Sequence, residues 1–322
     1  NKALIAAHSK ELFELAGENK VHIGFEASVA GGIPIIRTIR DGLISNQINS
    51  FAGILNGTSN FIFSKMADEK FSFDAALTLA QKEGFAEPDP SFDISGQDAA
   101  QKTSILATLS FFKNSSMENV YFEGIDKISP DDIDYGKQLN FVLKPLSVGM
   151  QNKDQITLGS FPAFVKTDSL LASIQNENNA VLVNAENVGG TMYSGPGAGA
   201  KPTANSVLSD VIDIARGKIF DYGKFVQQDL SSSFDNFSCD RYLKLQVNDK
   251  PGVVAKISTL LAKNNLSIDN LIQKELERSD DQIPLVMVLS NSDETTIQET
   301  VKELEALDEV SGPLTHIRIL DI

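Results

Sequence analysis

The chain has 322 residues, about two domains by the loose prior of ~150 residues each, and its 42% apolar content can fill sizeable cores, which excludes simple disorder. With 28 basic against 43 acidic residues the formal charge is −15, so attraction to nucleic-acid backbones or anionic membranes would work against the chain's own field. No run reaches the roughly 18–20 uninterrupted apolar residues of a spanning helix, NKALIAAHSKEL is not a signal peptide, and the single Cys239 makes no intrachain disulfide, so a cytoplasmic protein without nucleic-acid or membrane partners is expected.

Asn1 is not a methionine, and Lys2-Ala3-Leu4-Ile5 already reads as helix, which points to residues upstream. Leu4 to Ala16 interleaves apolar and charged residues and Gly17 stands at a C-cap position, predicting a surface helix. Val21 to Phe25 predicts a short strand that meets Gly31-Gly32, and Pro34 then opens an apolar helical run. A second short apolar run, Phe51 to Leu55, precedes Asn56-Gly57-Thr58-Ser59-Asn60, and Ser72 caps a helix near residues 73–83 that Gly84 ends. Residues 87–98 form a polar, carboxylate-rich loop before a helix from about Gln97 to Phe112. Between Asn140 and Met192 the apolar runs are short and β-branched, predicting sheet. Glycine-rich Ser194 to Ala200 leads into helical spacing over Thr203 to Arg216. Residues 227–240 are rich in serine and aspartate without periodicity and read as a linker. From Leu243 onward the pattern is strand, helix, strand, strand, helix, strand.

Few residues stand out chemically. On the helix after residue 97, Asp98, Lys102, Ile105 and Leu109 share one stripe, which puts a lysine on the apolar face. Either Lys102 snorkels from an i,i+4 ion pair, or it is a partly desolvated lysine held by a carboxylate at a cleft mouth, fit for proton transfer. Glu87, Asp89, Asp93 and Asp98 crowd together upstream: a solvated turn, or a grip for a substrate ammonium group. His8, His22 and His316 have no catalytic context. Gly195-Pro196-Gly197-Ala198-Gly199-Ala200 fits G-x-G-x-x-A before a helix, a weak dinucleotide signal whose donors could face a phosphate, or a plain turn.

The runs Glu26 to Ile36, Ala52 to Asn60, and Gly84 to Pro90 through Asp93, Gly96, Asp98, Ala99 and Lys102 resemble the homoserine dehydrogenase family, and the likeness covers residues 1 to about 220. Residues 241–322, with VNDKPGVVAKIS, resemble an ACT domain. The resemblance implies an α/β protein. A partial Rossmann remnant (1–20 and 196–226) precedes and follows an α+β substrate and dimerisation domain with a mixed sheet (21–195). A linker (227–240) and a βαββαβ ACT domain (241–322) complete the chain. It implies NAD(P)-dependent interconversion of homoserine and aspartate 4-semialdehyde, in threonine and methionine biosynthesis, by a homodimer or homotetramer.

Carried over by position, Glu87 and Asp93 bind substrate, Asp98 bonds its hydroxyl or a water, and Lys102 handles the proton. Lys2 is a second lysine at the reacting oxygen and the coenzyme. Gly195, Gly197, Ala198 and Gly199 face the coenzyme, and the backbone of Glu26, Val29, Gly31 and Ile33 holds a monovalent cation, Na+ or K+. Asn248, Asp249 and Gly252, at a turn with free backbone donors, are the expected seat of an amino-acid effector, threonine above others. The family opens with a Rossmann half of roughly 100 residues, of which only flanking helices lie in this sequence, so the expectation is a fragment that is inactive without that half. A different class of function, an amino-acid-binding regulatory fragment without dehydrogenase activity, stays open at this level.

Overall fold

The computed structural model describes residues 1–153, 155–220, 222, 228–273 and 282–322. Helix α1 (Lys2–Asn19) starts at Asn1, whose side chain accepts from Ala3 N at 2.9 Å. It runs through Gly17, and Lys20, at φ 54°, ends it, so the expected glycine cap is three residues early. The strand expected at Val21 to Phe25 does not form. Its backbone is drawn to α8 (Ala200–Ala215): Glu26 N donates to Asp210 Oδ2 at 2.9 Å, and a Cβ on Gly24 would stand 2.6 Å from the Asp210 side chain. The helix after Pro34 is short, α2 (Ile35–Arg37), followed by one wide turn at Thr38–Gly42.

Then come β1 (Ile48–Ile54), α3 (Gly57–Glu69) and α4 (Phe73–Lys82), the last capped by Ser72 as its sequence predicts. The carboxylate-rich loop contains one short turn of helix, α5 (Ser91–Ile94), before α6 (Gln97–Phe111). A two-residue strand β2 (Tyr121–Phe122) and α7 (Pro130–Gln138) lead to the expected sheet: β3 (Phe141–Asn152), β4 (Gln155–Lys166), β5 (Asn178–Ala185) and β6 (Gly189–Pro196). After α8, the C-terminal module is β7 (Cys239–Asn248), α9 (Val253–Lys263), β8 (Ile268–Gln273), β9 (Gln282–Ser292), α10 (Glu294–Glu305) and β10 (Val310–Leu320), the expected βαββαβ order.

All the strands among the described residues join one mixed sheet, ordered β6-β5-β1-β3-β4-β10-β7-β9-β8, with β2 also on β4. The two modules are thus joined through backbone hydrogen bonds. Strand β4 pairs in parallel with β2 at Gly159 and Ser160, and with β10 from Ala163 to Val165. Among the described residues no parallel βαβ unit frames the Gly195 to Ala200 turn.

Strand alternation explains the packing. Leu243, Leu245 and Val247 face α9 and α10, where Ile257, Leu261, Ile297 and Leu304 close a core. Tyr242, Val286, Val288, Ile317 and Ile319 face the other way, into a core shared with Phe61, Ile133, Tyr135 and Phe164. Tyr242 also donates to Asp132 Oδ1 on α7 at 3.1 Å. Part of the linker region is packed as well: Leu230 and Phe237 are buried, and Phe234 stacks on Tyr121 with ring centroids 4.2 Å apart. Residue 227, and 221 and 223–226 at the end of the preceding stretch, lie outside the described residues. Among the described residues no helix is long and apolar enough to cross a membrane.

Candidate active site

Three chain segments converge on Asp98. It lies in the first turn of α6, just after Gly96, whose φ of +86° sets the N-cap without a side-chain bond. That helix N-terminus favours a negative charge. Asp98 Oδ1 accepts from Lys2 Nζ, delivered by the first turn of α1. Its Oδ2 accepts from Lys102 Nζ at 2.7 Å, one turn along α6, and from Asn56 Nδ2 at 2.8 Å, at the junction of β1 and α3. Lys102 also donates to the Leu55 carbonyl at 2.7 Å. Its side chain is only 14% exposed. The i,i+4 pair forms, and it holds Lys102 inward rather than out in solvent.

Asp93 joins through Asn56, whose Nδ2 stands 2.7 Å from Asp93 Oδ1. The two carboxylates are driven apart. Burial opposes ionisation of Asp98, yet the ammonium groups of Lys102 and Lys2 hold its pKa down to about 2. For Asp93 burial wins against the Asn56 bond, and with the neighbouring Asp98 charge it raises the pKa. A carboxylate held ionised by its lysines thus sits beside one whose protonation burial favours.

Asn56 was not among the sequence candidates. Its Oδ1 caps α3 by accepting from Ser59 N at 2.8 Å, so the asparagine ahead of Gly57-Thr58-Ser59 was visible as a helix cap but not as a bridge between acids. Glu87 is exposed and outside this hydrogen-bonded set, with Gln81 Nε2 donating to its carbonyl. Asp89 is exposed too and accepts from Ser91 N.

A cleft of about 550 Å³ opens beside the lysines, lined by Lys2, Lys102, Gly31, Gly197, Ala198 and the outward face of α8. Gly195 is the next-to-last residue of β6, and Gly199, at φ +109°, precedes α8. Gly197 admits no side chain, since a Cβ there would meet Asn179 at 2.1 Å, and a Cβ on Gly31 would meet the Gly197 carbonyl at 2.3 Å. The two glycine segments thus clasp each other. The Glu26 carboxylate is engaged by Ile36 N (2.9 Å), Arg37 N (3.0 Å) and Arg37 Nε (3.2 Å). The Gly31 carbonyl accepts from Ser206 Oγ at 2.7 Å, the Ile33 carbonyl from Ile35 N at 2.8 Å, and Val29 is buried. No cluster of histidine, cysteine and acidic side chains suited to a metal occurs among the described residues.

In the C-terminal module the Asn248–Gly252 turn is open: Asp249 is exposed, Gly252 has φ +95° with free space around it, and Asn248 N bonds the Glu309 carbonyl at 2.9 Å.

An α/β scaffold with a lysine-flanked carboxylate at a cleft, fused to a βαββαβ module, matches dehydrogenases that carry an ACT domain. The chain belongs to the homoserine dehydrogenase family: the family model described as homoserine dehydrogenase matches residues 34–212, and an ACT domain model matches 241–309. It is 40% identical over 329 residues to the homoserine dehydrogenase of Pseudomonas aeruginosa, covering 99% of this chain and 76% of that one. The crystal structure of a Thiobacillus denitrificans homoserine dehydrogenase superposes with a TM-score of 0.94 at 36% identity, covering all of this chain and 75% of the other. A hyperthermophilic archaeal homoserine dehydrogenase mutant in complex with NADPH gives 0.59 at 29% identity, over 67% of this chain and 63% of that one. Likeness over the whole chain does not favour a purely regulatory fragment.

Proposed function

We propose that this protein interconverts L-homoserine and L-aspartate 4-semialdehyde with NAD(P), placing the reacting oxygen between Lys102 and Lys2. The observation that supports this most is Asp98, buried yet ionised between two ammonium groups at a cleft mouth. In the oxidation direction a C–H bond breaks as hydride leaves, and the hydroxyl proton must leave the oxygen. Lys102 is positioned to take and return that proton, Lys2 stabilises alkoxide charge, and Asp98 bonds the hydroxyl or a bridging water while fixing both lysines. Asp93, and Glu87 if its loop turns inward, receive the substrate ammonium group, whose arrival would favour ionised Asp93.

A nicotinamide coenzyme supplies the hydride acceptor when bound. The donor set fits one: Gly195, Gly197 and Gly199, without side chains, and Ala198, with only a methyl, bring backbone to the first turn of α8, beside Lys2, where anions are favoured. For Na+ or K+, the carbonyls of Glu26, Val29, Gly31 and Ile33 are the donors; Ala30 and Gly31, both at positive φ, shape that turn. Omitting Na+ and K+ in favour of choline should lower activity, and an unchanged rate removes the ion. The chain divides by this reading into 1–20 with 196–226 on the coenzyme side, 21–195 for substrate and dimerisation, the connecting 227–240, and 241–322 for regulation, in a cytoplasmic homodimer or homotetramer. Threonine, by its carboxylate and ammonium groups, would occupy the turn at Asn248, Asp249 and Gly252.

The deciding assay follows NADPH oxidation with aspartate 4-semialdehyde. With a coenzyme-binding half of the family's kind restored ahead of Asn1, turnover that depends on Lys102 is expected; amino-acid binding without any turnover in that restored chain would favour a regulatory fragment. Calorimetry of the whole chain with threonine, isoleucine, methionine and lysine tests the effector: heat for threonine is expected, and silence from all at millimolar concentration ends the regulatory reading.

A further inference from the structure

The geometry points to Glu123 and Arg318 as positioning residues through which the last strand of the C-terminal module fixes the Asp93–Asp98 segment of the catalytic site. Arg318, on β10, is fully buried. Its Nη2 donates to Glu294 Oε1 at 2.6 Å, Glu123 Oε1 at 3.0 Å and the Tyr121 hydroxyl at 3.2 Å, and its guanidinium lies 4.5 Å from the Phe161 ring centroid. Arg241 completes the set by donating to Glu294 Oε2 at 2.8 Å. Two arginines therefore face two glutamates at the seam between the modules, and only Glu123 belongs to the catalytic side. The Tyr121 hydroxyl donates to the same Glu123 oxygen.

From Glu123 the connection passes to the site through main chain. Glu123 N donates to the Ser160 carbonyl at 2.9 Å, and Ile125 N to the Ile94 carbonyl at 2.9 Å. A Cβ on Gly96 would stand 2.6 Å from the Glu123 carbonyl, and one on Gly124 would stand 3.0 Å from the Ile94 carbonyl. Residues 123–125 thus grip residues 94–96, which lie between Asp93 and Asp98 in sequence. Gly96 is the N-cap of α6 and has no side chain to set its angle, so this backbone contact orients the turn that carries Asp98. With Asp98 and Lys102 as the reacting-end groups proposed above, a small displacement of that turn would separate them from substrate.

The test uses the full chain, with a coenzyme-binding half of the family's kind restored ahead of Asn1, together with coenzyme and aspartate 4-semialdehyde. Glu123→Ala removes the carboxylate from a side chain that is 32% exposed, so water can fill its place. Glu123→Gln keeps an oxygen for Arg318 and Tyr121. The expected result is faster amide hydrogen exchange over residues 93–98 in Glu123→Ala, with kcat lower by roughly tenfold or more, and substantial recovery in Glu123→Gln. Should Glu123→Ala not fold, Tyr121→Phe, which keeps the stacked ring and loses only the hydroxyl, must show the same exchange signature. Unchanged exchange in a folded variant overturns the positioning role. So does faster exchange with unchanged kcat while Lys102→Met is inactive, a result that leaves the catalytic assignment standing. If Lys102→Met also turns over normally, the catalytic assignment itself has failed.

Discussion

Asp98 and Lys102 meet at 2.7 Å across one helical turn, on the inward side of α6, with Asp98 only 4% exposed. An acid-to-lysine pair at this spacing contributes a few tenths of a kcal/mol on a helix surface. Burial changes its meaning: removing Asp98 leaves two ammonium groups without their shared carboxylate, whereas removing Lys102 leaves Asp98 still paired with Lys2.

In a chain with the coenzyme-binding half restored, Lys102→Met should leave the fold and coenzyme affinity largely intact while lowering kcat by about 10²–10⁴, the usual worth of a positioned proton-transfer group. Steady-state kinetics beside a coenzyme titration checks this. Near-normal turnover would mean that Lys102 only neutralises Asp98.

Acid should weaken the protein through Asp98 and Glu294, both held down to about 2 by their basic neighbours despite burial. Carboxyls depressed in the folded state contribute stability above their unfolded pKa and lose it as pH falls through the folded value. The loss should run from about pH 4.5 down to 2. Asp93 and Glu26, raised by burial, work in the opposite sense and offset part of it. Urea unfolding at several pH values should show a shallower acid slope in Glu294→Gln than in the parent. Parallel slopes would remove Glu294 from this account.

Gly31→Ala should be costly. Its φ is +32°, and the added methyl would press on the Gly197 carbonyl at 2.3 Å. Backbone strain of this kind costs about 1–3 kcal/mol, and here it would also open the clasp beside the cleft. Thermal unfolding together with coenzyme titration would register both effects; an unperturbed variant would mean the clasp yields freely.

Residues 241–322 expressed alone should fail to give a folded monomer. Tyr242, Val286, Val288, Ile317 and Ile319 would lose the core they share with α3 and α7, and β10 would lose its neighbour β4. An exposed apolar face with a bare strand edge favours association. Light scattering and circular dichroism decide, and a monodisperse folded monomer contradicts the shared core.

What could be read in advance followed local chemistry. Ser72 announces α4, and alternation at Leu243, Leu245 and Val247 announces β7, because caps and two-residue periods act within a few residues. The Asp98–Lys102 stripe was legible for the same reason. Val21 to Phe25 misled: its apolar run suits a strand, but Glu26 N is claimed by Asp210, 184 residues away. Asn56 was hidden likewise, since its link to Asp93 and Asp98 spans two segments that only the folded sheet brings together. The seam at Arg318 and Glu123 is more remote still, with 195 positions between the partners.

Strand β4 also has a bearing on the order in which the chain is assembled. Its C-terminal half is paired with β3 along one edge, but the other edge finds a partner only when Arg318, Ile319 and Leu320 reach Ala163, Phe164 and Val165. A ribosome making the protein from its N-terminus therefore releases the catalytic sheet long before the strand that covers it. Until then Phe164 and its neighbours are open to other chains, since pairings of long sequence separation close late. Slow or interrupted synthesis near the end should consequently harm the catalytic half first, although none of the missing residues belongs to it.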